Sequence, residues 1–315
     1  MFKHKFTKGQ NLRYWLSKPA SLFQIFTKPT RRKNGISVLI RVRDEEEWIA
    51  KSLLSLNDFA DEVVVVNNNS ADGTLEEIER IKPQLKYVLV LENEISNDIC
   101  RVSNHALSLT SFRWIFRWDS DFIAHTSGSQ NIKFLRDFLL SLNEKKHYLI
   151  FPLTYSFAGD LFHVKTGKET NSEGYIHTWH PKLNYVKKGK FEILKLPFSY
   201  EIKRLNKIYF VHIGSAKPLK KILFRFFWLY WQDHLAEFSK IEDYIDHELK
   251  EKYQNISAED FTVNEFRRLI LPLRKFEKAE FGDYPELMRE DVKQPKFRVT
   301  YKDGKPFGRN DFPPN

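Results

Sequence analysis

From residue 35 onward, apolar runs of strand length alternate with segments of helical period. Residues 37–43, 62–67, 87–92 and 114–118 read as strands, and 45–56, 75–81 and 98–109 as helices. On the first of these helices Trp48, Ile49, Leu53 and Leu56 share one face. Val63-Val-Val-Val66 is apolar on both faces of a strand, which places it inside a parallel sheet. Strands and helices alternating at this spacing make βαβ units, so the pattern predicts an α/β fold: a mostly parallel, Rossmann-like sheet flanked by helices. After Asp121 the alternation loosens. A helix over 132–142 and a strand over 148–153 lead into short strands and loops across 155–212. Helices follow near 217–238, 240–253 and 262–277, forming a helical C-terminal extension. Pro285, Pro295, Pro306, Pro313 and Pro314 predict that the last stretch lies extended over the body or frays.

One strand ends in a way that demands chemistry. The apolar run before Trp118-Asp-Ser-Asp121 closes on two carboxylates one residue apart. Carboxylates beside a core are costly unless something neutralises them. Mn²⁺ or Mg²⁺ carrying a diphosphate would do so, since hard cations take oxygen ligands and share them with substrate phosphates. The carboxyl ends of strands are also where open α/β sheets bind ligands. Asp119 and Asp121 are therefore the leading candidates, with Arg41 and Arg43 at the end of the first strand available to a diphosphate. Asp44 with Glu47 reads as an N-cap pair, and Thr74 with Glu77 as a capping box.

Three segments, Val38-Leu-Ile-Arg-Val-Arg-Asp-Glu-Glu46, Val63-Val-Val-Val-Asn-Asn-Asn-Ser-Ala-Asp-Gly-Thr74 and Trp118-Asp-Ser-Asp121, together resemble glycosyltransferase family 2. The resemblance implies a GT-A fold, a nucleotide-diphosphate sugar as donor (a UDP-sugar foremost) and inversion at the anomeric carbon. It divides the chain into a basic aromatic arm (1–34), a nucleotide-sugar-binding half (35–125), an acceptor-binding half (126–215) and the helical extension (216–315). It further implies that Asn67 and Asn69 meet the nucleotide, although the family usually has Asp where Asn67 stands. Arg101 and Asn104 would face the donor. Asp121 would hold the cation directly, and Asp119 would reach the ribose or, through water, the metal. His212 would supply a further metal or diphosphate ligand. Glu192 would take the proton of the acceptor hydroxyl, with Asp160, Glu173 and Glu201 as competitors.

Charge changes the picture at one end only. Nearly all of the net charge of +10 lies in residues 1–34, which hold nine cations, Lys28 and Arg31 among them, and no acid. Interleaved aromatics, Trp15 among them, suit an anionic membrane surface; a solvated tail is the other reading. The run Ile222–Trp231 is apolar at nine of ten positions, so it either packs into the body or lies in a membrane interface. A single cysteine, Cys100, and the lack of a spanning run or signal-peptide core place the protein in the cytoplasm or on the inner face of the membrane. The acceptor expected is a saccharide or a lipid-linked one, and no nucleic acid is expected. Two other classes compete. A nucleotidyltransferase would show a Gly-rich basic loop near the first strand, which 37–46 lacks. A non-catalytic protein held by its arm to membrane or nucleic acid would need neither Asp119 nor Asp121.

Overall fold

The computed structural model describes residues 3–4, 8–22, 32–165, 169–170, 175–189, 191–197 and 199–312. Glu173, Lys28, Arg31, Pro313 and Pro314 lie outside the described residues. Seven strands form the central sheet: β1 (Ile36–Val42), β2 (Glu62–Asn67), β3 (Val88–Asn93), β4 (Trp114–Asp119), β6 (Tyr148–Leu153), β7 (Ile176–Thr178) and β10 (Glu201–Ile208). A short strand, β5 (Phe122–Ala124), lies outside this sheet between β4 and β6. The order is β10-β6-β7-β4-β1-β2-β3, and only β7 runs antiparallel to its neighbours. This is the mostly parallel α/β sheet that the alternation predicts. The βαβ alternation is legible because β1 and β2 are buried on both faces while α2 (Ile49–Leu54), α3 (Thr74–Ile81) and α4 (Ile99–Ser108) each bury one.

The core below the site is aromatic. Phe116, Trp118, Phe122 and Phe210 are buried, with ring centroids 5.0 Å apart for Phe116–Trp118 and 4.9 Å for Phe122–Phe210. Each buried ring of this size contributes about 1.5–3 kcal/mol. The indole N–H of Trp118 is satisfied by Ser52 Oγ at 2.9 Å. The strand carrying Asp119 is thus fixed on its core side, and its carboxyl end is left to chemistry.

Several local expectations are corrected. Asp44 does not cap a helix: it sits at φ +54° and its carboxylate accepts from Ala71 N, while the helix begins only at Ile49. The 74–77 capping box does not form either. Asp72 accepts from Thr74 N at 3.1 Å, and Thr74 Oγ1 accepts from Glu45 N at 2.7 Å, stitching the 44–47 loop to the 70–74 turn. The last long helix runs Ala258–Ile270 (α8), earlier than the period suggested, because Ser257 Oγ accepts from Asp260 N and Pro272 ends it. The proline-rich end is not extended. It folds into short helices and a hairpin, β12 (Val299–Lys302) and β13 (Lys305–Arg309), turned by Asp303-Gly304 at φ +51° and +73°. Arg309 is buried and donates to Gly159 O, pinning the hairpin to the body.

The apolar run of 222–231 lies in α6 (Leu219–Trp231) and packs into the protein. Phe227 and Trp231 are buried against Tyr244 and Ile241 of α7 (Ile241–Glu251) and Phe261 of α8. No helix among the described residues is long and apolar enough to cross a membrane.

Two buried imidazoles set an acid limit on stability. His125 and His177 have Nε2 atoms without a hydrogen-bond partner among the described residues, and burial pulls both from 6.5 down to about 4. As pH falls from 6.5 towards 4 the unfolded chain takes protons that the folded chain refuses, so stability is lost through that window. At pH 5 the loss is about 2 kcal/mol for each histidine. Urea unfolding at neutral pH and at pH 5 checks this; a slope unchanged by His177→Gln would contradict the assignment.

Candidate active site

A cavity of about 500 Å³ opens at the carboxyl ends of β1, β2 and β4. Parallel pairing brings Arg41 of β1 into register with Asp119 of β4. β11 (Phe210–His212) pairs antiparallel with β5, carrying His212 back beside the Asp119-Ser-Asp121 turn. Arg41, Arg43, Asp119, Asp121 and His212 all line this one cavity. Far apart in sequence, they are assembled by sheet order.

Asp121 is 4% exposed and fully engaged. Its Oδ1 lies 3.2 Å from His212 Nε2, and its Oδ2 lies 2.7 Å from the Lys217 ammonium. His212 is oriented through its other nitrogen, 3.0 Å from Ser156 Oγ. Burial alone would raise the Asp121 carboxyl, but the neighbouring His212 and Lys217 outweigh it and hold the group well below the usual range. Lys217 also reaches Glu45 Oε1 at 2.5 Å. Burial pushes the Glu45 carboxyl up, and its Oε2 has no hydrogen-bond partner among the described residues. The tight turn after His212 depends on Gly214, at φ +63°, where an added Cβ would stand 2.4 Å from Phe157 O.

Asp119 makes no hydrogen bond or ion pair among the described residues, so its carboxylate is open to the cavity. Arg43 stacks on Phe224 and Trp228 of α6, 5.0 and 5.5 Å from the ring centroids; its Nε lies 3.9 Å from Asp44 Oδ2 and has no hydrogen-bond acceptor among the described residues. Arg225, one residue beyond Phe224, donates to Gly214 O at 3.1 Å. Below the sheet end a second cation, Lys221, bridges Glu47 and Asp72. Carboxylate oxygens of Glu46, Glu47 and Asp72 lie within 4.8 Å of one another, an acidic triad into which that ammonium is already bonded.

The other candidates stand elsewhere. Glu192, on β9 (Phe191–Lys195), is half-buried and forms an ion pair with Arg41. It also accepts from Arg117 at 3.3 Å and lies 2.6 Å from Ser103 Oγ. Its carboxylate is thus taken up by three donors, Arg41, Arg117 and Ser103. Both ends of the Asn67 amide are spent, on Asn93 and on Ser70 N. Asn69 is exposed at φ +58°. Arg101 is exposed and pairs with Glu94. Asn104 exchanges two hydrogen bonds with the backbone of Tyr185 and so fastens α4 to β8 (Asn184–Lys188). Of the competitors to Glu192, Asp160 is tied to His163 and Val299 N, and Glu201 to Lys146 and Lys203. Glu45, Lys217, Phe224 and Trp228 are site residues that sequence reading missed. The adjacency of Glu45 to Asp44 and of Lys217 to His212 was the available signal.

The donor set tests the implied cation directly. Asp119, Asp121, His212 and Glu45 all line the one cavity. Hard oxygen donors with one nitrogen suit Mn²⁺ or Mg²⁺.

The family model described as glycosyl transferase family 2 matches residues 37–224. Solved structures similar to this chain include S. aureus TarS 1–349, at 16% identity and a TM-score of 0.42, covering 87% of this chain and 98% of that one. Its complex with UDP-GlcNAc matches at 14% identity and a TM-score of 0.41, over 87% and 99%. Its complex with UDP matches at 16% and 0.39, over 89% and 98%. No curated protein matches the sequence.

Proposed function

The chain belongs to glycosyl transferase family 2, and from that premise we propose that it transfers one sugar, with inversion, from a nucleotide-diphosphate donor to a saccharide or lipid-linked acceptor. A UDP-sugar is the first donor to try. The observation that supports this most is the convergence of Asp119, Asp121 and His212 with Arg43 on one cavity at the sheet end. On this reading 35–125 supplies the donor half and 126–215 the acceptor half.

Arg43, held flat by Phe224 and Trp228, presents unspent N–H groups to the diphosphate; a guanidinium matches two phosphate oxygens at once. Asp119 meets the ribose or a water on the cation. Asp121 and His212 would hold the cation. Mn²⁺ or Mg²⁺ bound there would stabilise the negative charge growing on the departing nucleoside diphosphate. Arg41 forms the cavity wall, and Glu192 acts through it: the contacts of Glu192 favour a positioning role over proton acceptance. Asn69, on the exposed turn, remains free to meet the nucleotide, whereas Asn67 shapes that turn from behind.

Slow donor hydrolysis is the direct test. Incubation with a panel of nucleotide sugars and Mn²⁺ is expected to release one nucleoside diphosphate preferentially. Release from none of them, with none bound, would remove the reading.

We also place the enzyme on the inner, cytoplasmic face of a membrane, through α1 (Lys8–Leu22) rather than α6. Tyr14 and Ser17 turn inward: Tyr14 packs on Arg204, and Ser17 Oγ accepts from Ile202 N on the sheet edge. The opposite face shows Leu12, Trp15 and Leu16 at 61%, 68% and 44% exposure, with Lys8 and Lys18 beside them. Aromatic and aliphatic groups flanked by lysines suit an anionic bilayer, each cation adding about 1 kcal/mol. Phosphatidylserine vesicles are expected to bind the protein in a salt-sensitive way, and Trp15→Ser to weaken binding about ten-fold. Equal partitioning of wild type and variant would contradict the placement.

A further inference from the structure

Lys217 brings a positive charge into the place where the donor set calls for a metal. Its ammonium bridges Asp121 Oδ2 (2.7 Å) and Glu45 Oε1 (2.5 Å), and the residue is 6% exposed. Two carboxylates at this end of the sheet thus share one ammonium, whose positive charge is set against both. The site is therefore neutralised by a group the chain carries itself. An ammonium and a divalent ion cannot share the same two oxygens.

The geometry points to Lys217 as a tethered counter-ion that competes with the divalent cation for Asp121 and Glu45. Occupation of the cation site is then conditional. A bare ion must expel the ammonium into a rim that already holds Arg225 and Arg43, two further cations. A cation arriving with a nucleoside diphosphate brings the anion to which the released ammonium can turn. Lys217 thus makes cation and nucleotide bind together, and it becomes a ligand of the diphosphate once displaced. Its position favours this: it lies between the rigid His212–Gly214 turn and the start of α6, whose Lys220, Phe224 and Trp228 line the same cavity. This inference rests on the transferase reading above for the diphosphate, and on geometry alone for the competition.

The test uses Mn²⁺ alone, without nucleotide, and reads the free ion by electron paramagnetic resonance on the whole chain. Wild type is expected to bind Mn²⁺ weakly. Lys217→Met is expected to bind it at least about ten-fold tighter, and Lys217→Arg, which keeps the charge, to stay near wild type. UDP is expected to tighten Mn²⁺ binding more in wild type than in Lys217→Met. Removing the lysine leaves two buried acids facing each other, so Lys217→Gln, closer in shape and able to donate, gives the same readout if Lys217→Met does not fold. Equal or weaker Mn²⁺ binding in the uncharged variants overturns the proposal. If that happens while Asp121→Ala still abolishes Mn²⁺ binding, the transferase reading stands and only the competition falls. Mn²⁺ binding to no form, with or without UDP, removes the cation from both.

Discussion

Asp121→Ala is expected to lower kcat/KM by about 10³-fold, with the loss in kcat. Asp121 touches both His212 and Lys217. On the proposed reading its removal would strip the cation of its buried oxygen ligand and leave the charge of the departing diphosphate without its main counterweight. The fold should survive, because Lys217 keeps Glu45 as a partner. Circular dichroism and thermal unfolding close to wild type would separate chemistry from collapse. Asp119→Ala should cost less, since that carboxylate holds nothing in place inside the protein. Activity of Asp121→Ala within about three-fold of wild type would take Asp121 out of the reaction.

Glu192→Ala is expected to destabilise the protein by about 1–3 kcal/mol, the usual result of leaving partly buried charged donors without their acceptor. Here two guanidiniums, Arg41 and Arg117, lose one shared carboxylate. Glu192→Gln, which still accepts a hydrogen bond but carries no charge, should cost less. Activity should fall with both, because Arg41 loses its anchor at the cavity wall. Urea unfolding and kcat measured on the same preparations decide between roles. A large fall in kcat for Glu192→Gln at unchanged stability, with loss of one limb of the pH–rate profile, would mean that Glu192 takes the acceptor's proton after all.

The donor end of the fold was readable because its signals are local. Val63-Val-Val-Val66 is buried on both faces, as a central parallel strand must be, and Asp119 and Asp121 close an apolar strand at the sheet end where the cavity lies. The pairs that finish the site are not local. Lys217 meets Glu45 across 172 positions and Glu192 meets Arg41 across 151, and no periodicity encodes such contacts. The same holds for Asn67 and Asn104, whose amides are spent on partners that the strand pattern does not reveal. The antiparallel β7 is only three residues long, below the length at which alternation is visible. In α6 the apolar run was plain, but its partners, Tyr244 and Phe261, were not, so burial and membrane contact read alike. The Asp303-Gly304 turn was a hairpin signal that the surrounding prolines obscured.

Calorimetric titration with nucleoside diphosphates in the presence of Mn²⁺ probes the cavity at the ends of β1 and β4 most directly. One nucleoside diphosphate should bind wild type and fail to bind Asp121→Ala, with Arg43→Ala weakened as well. Binding by none of them, or binding that ignores both substitutions, would show that this cavity is not where a sugar nucleotide sits.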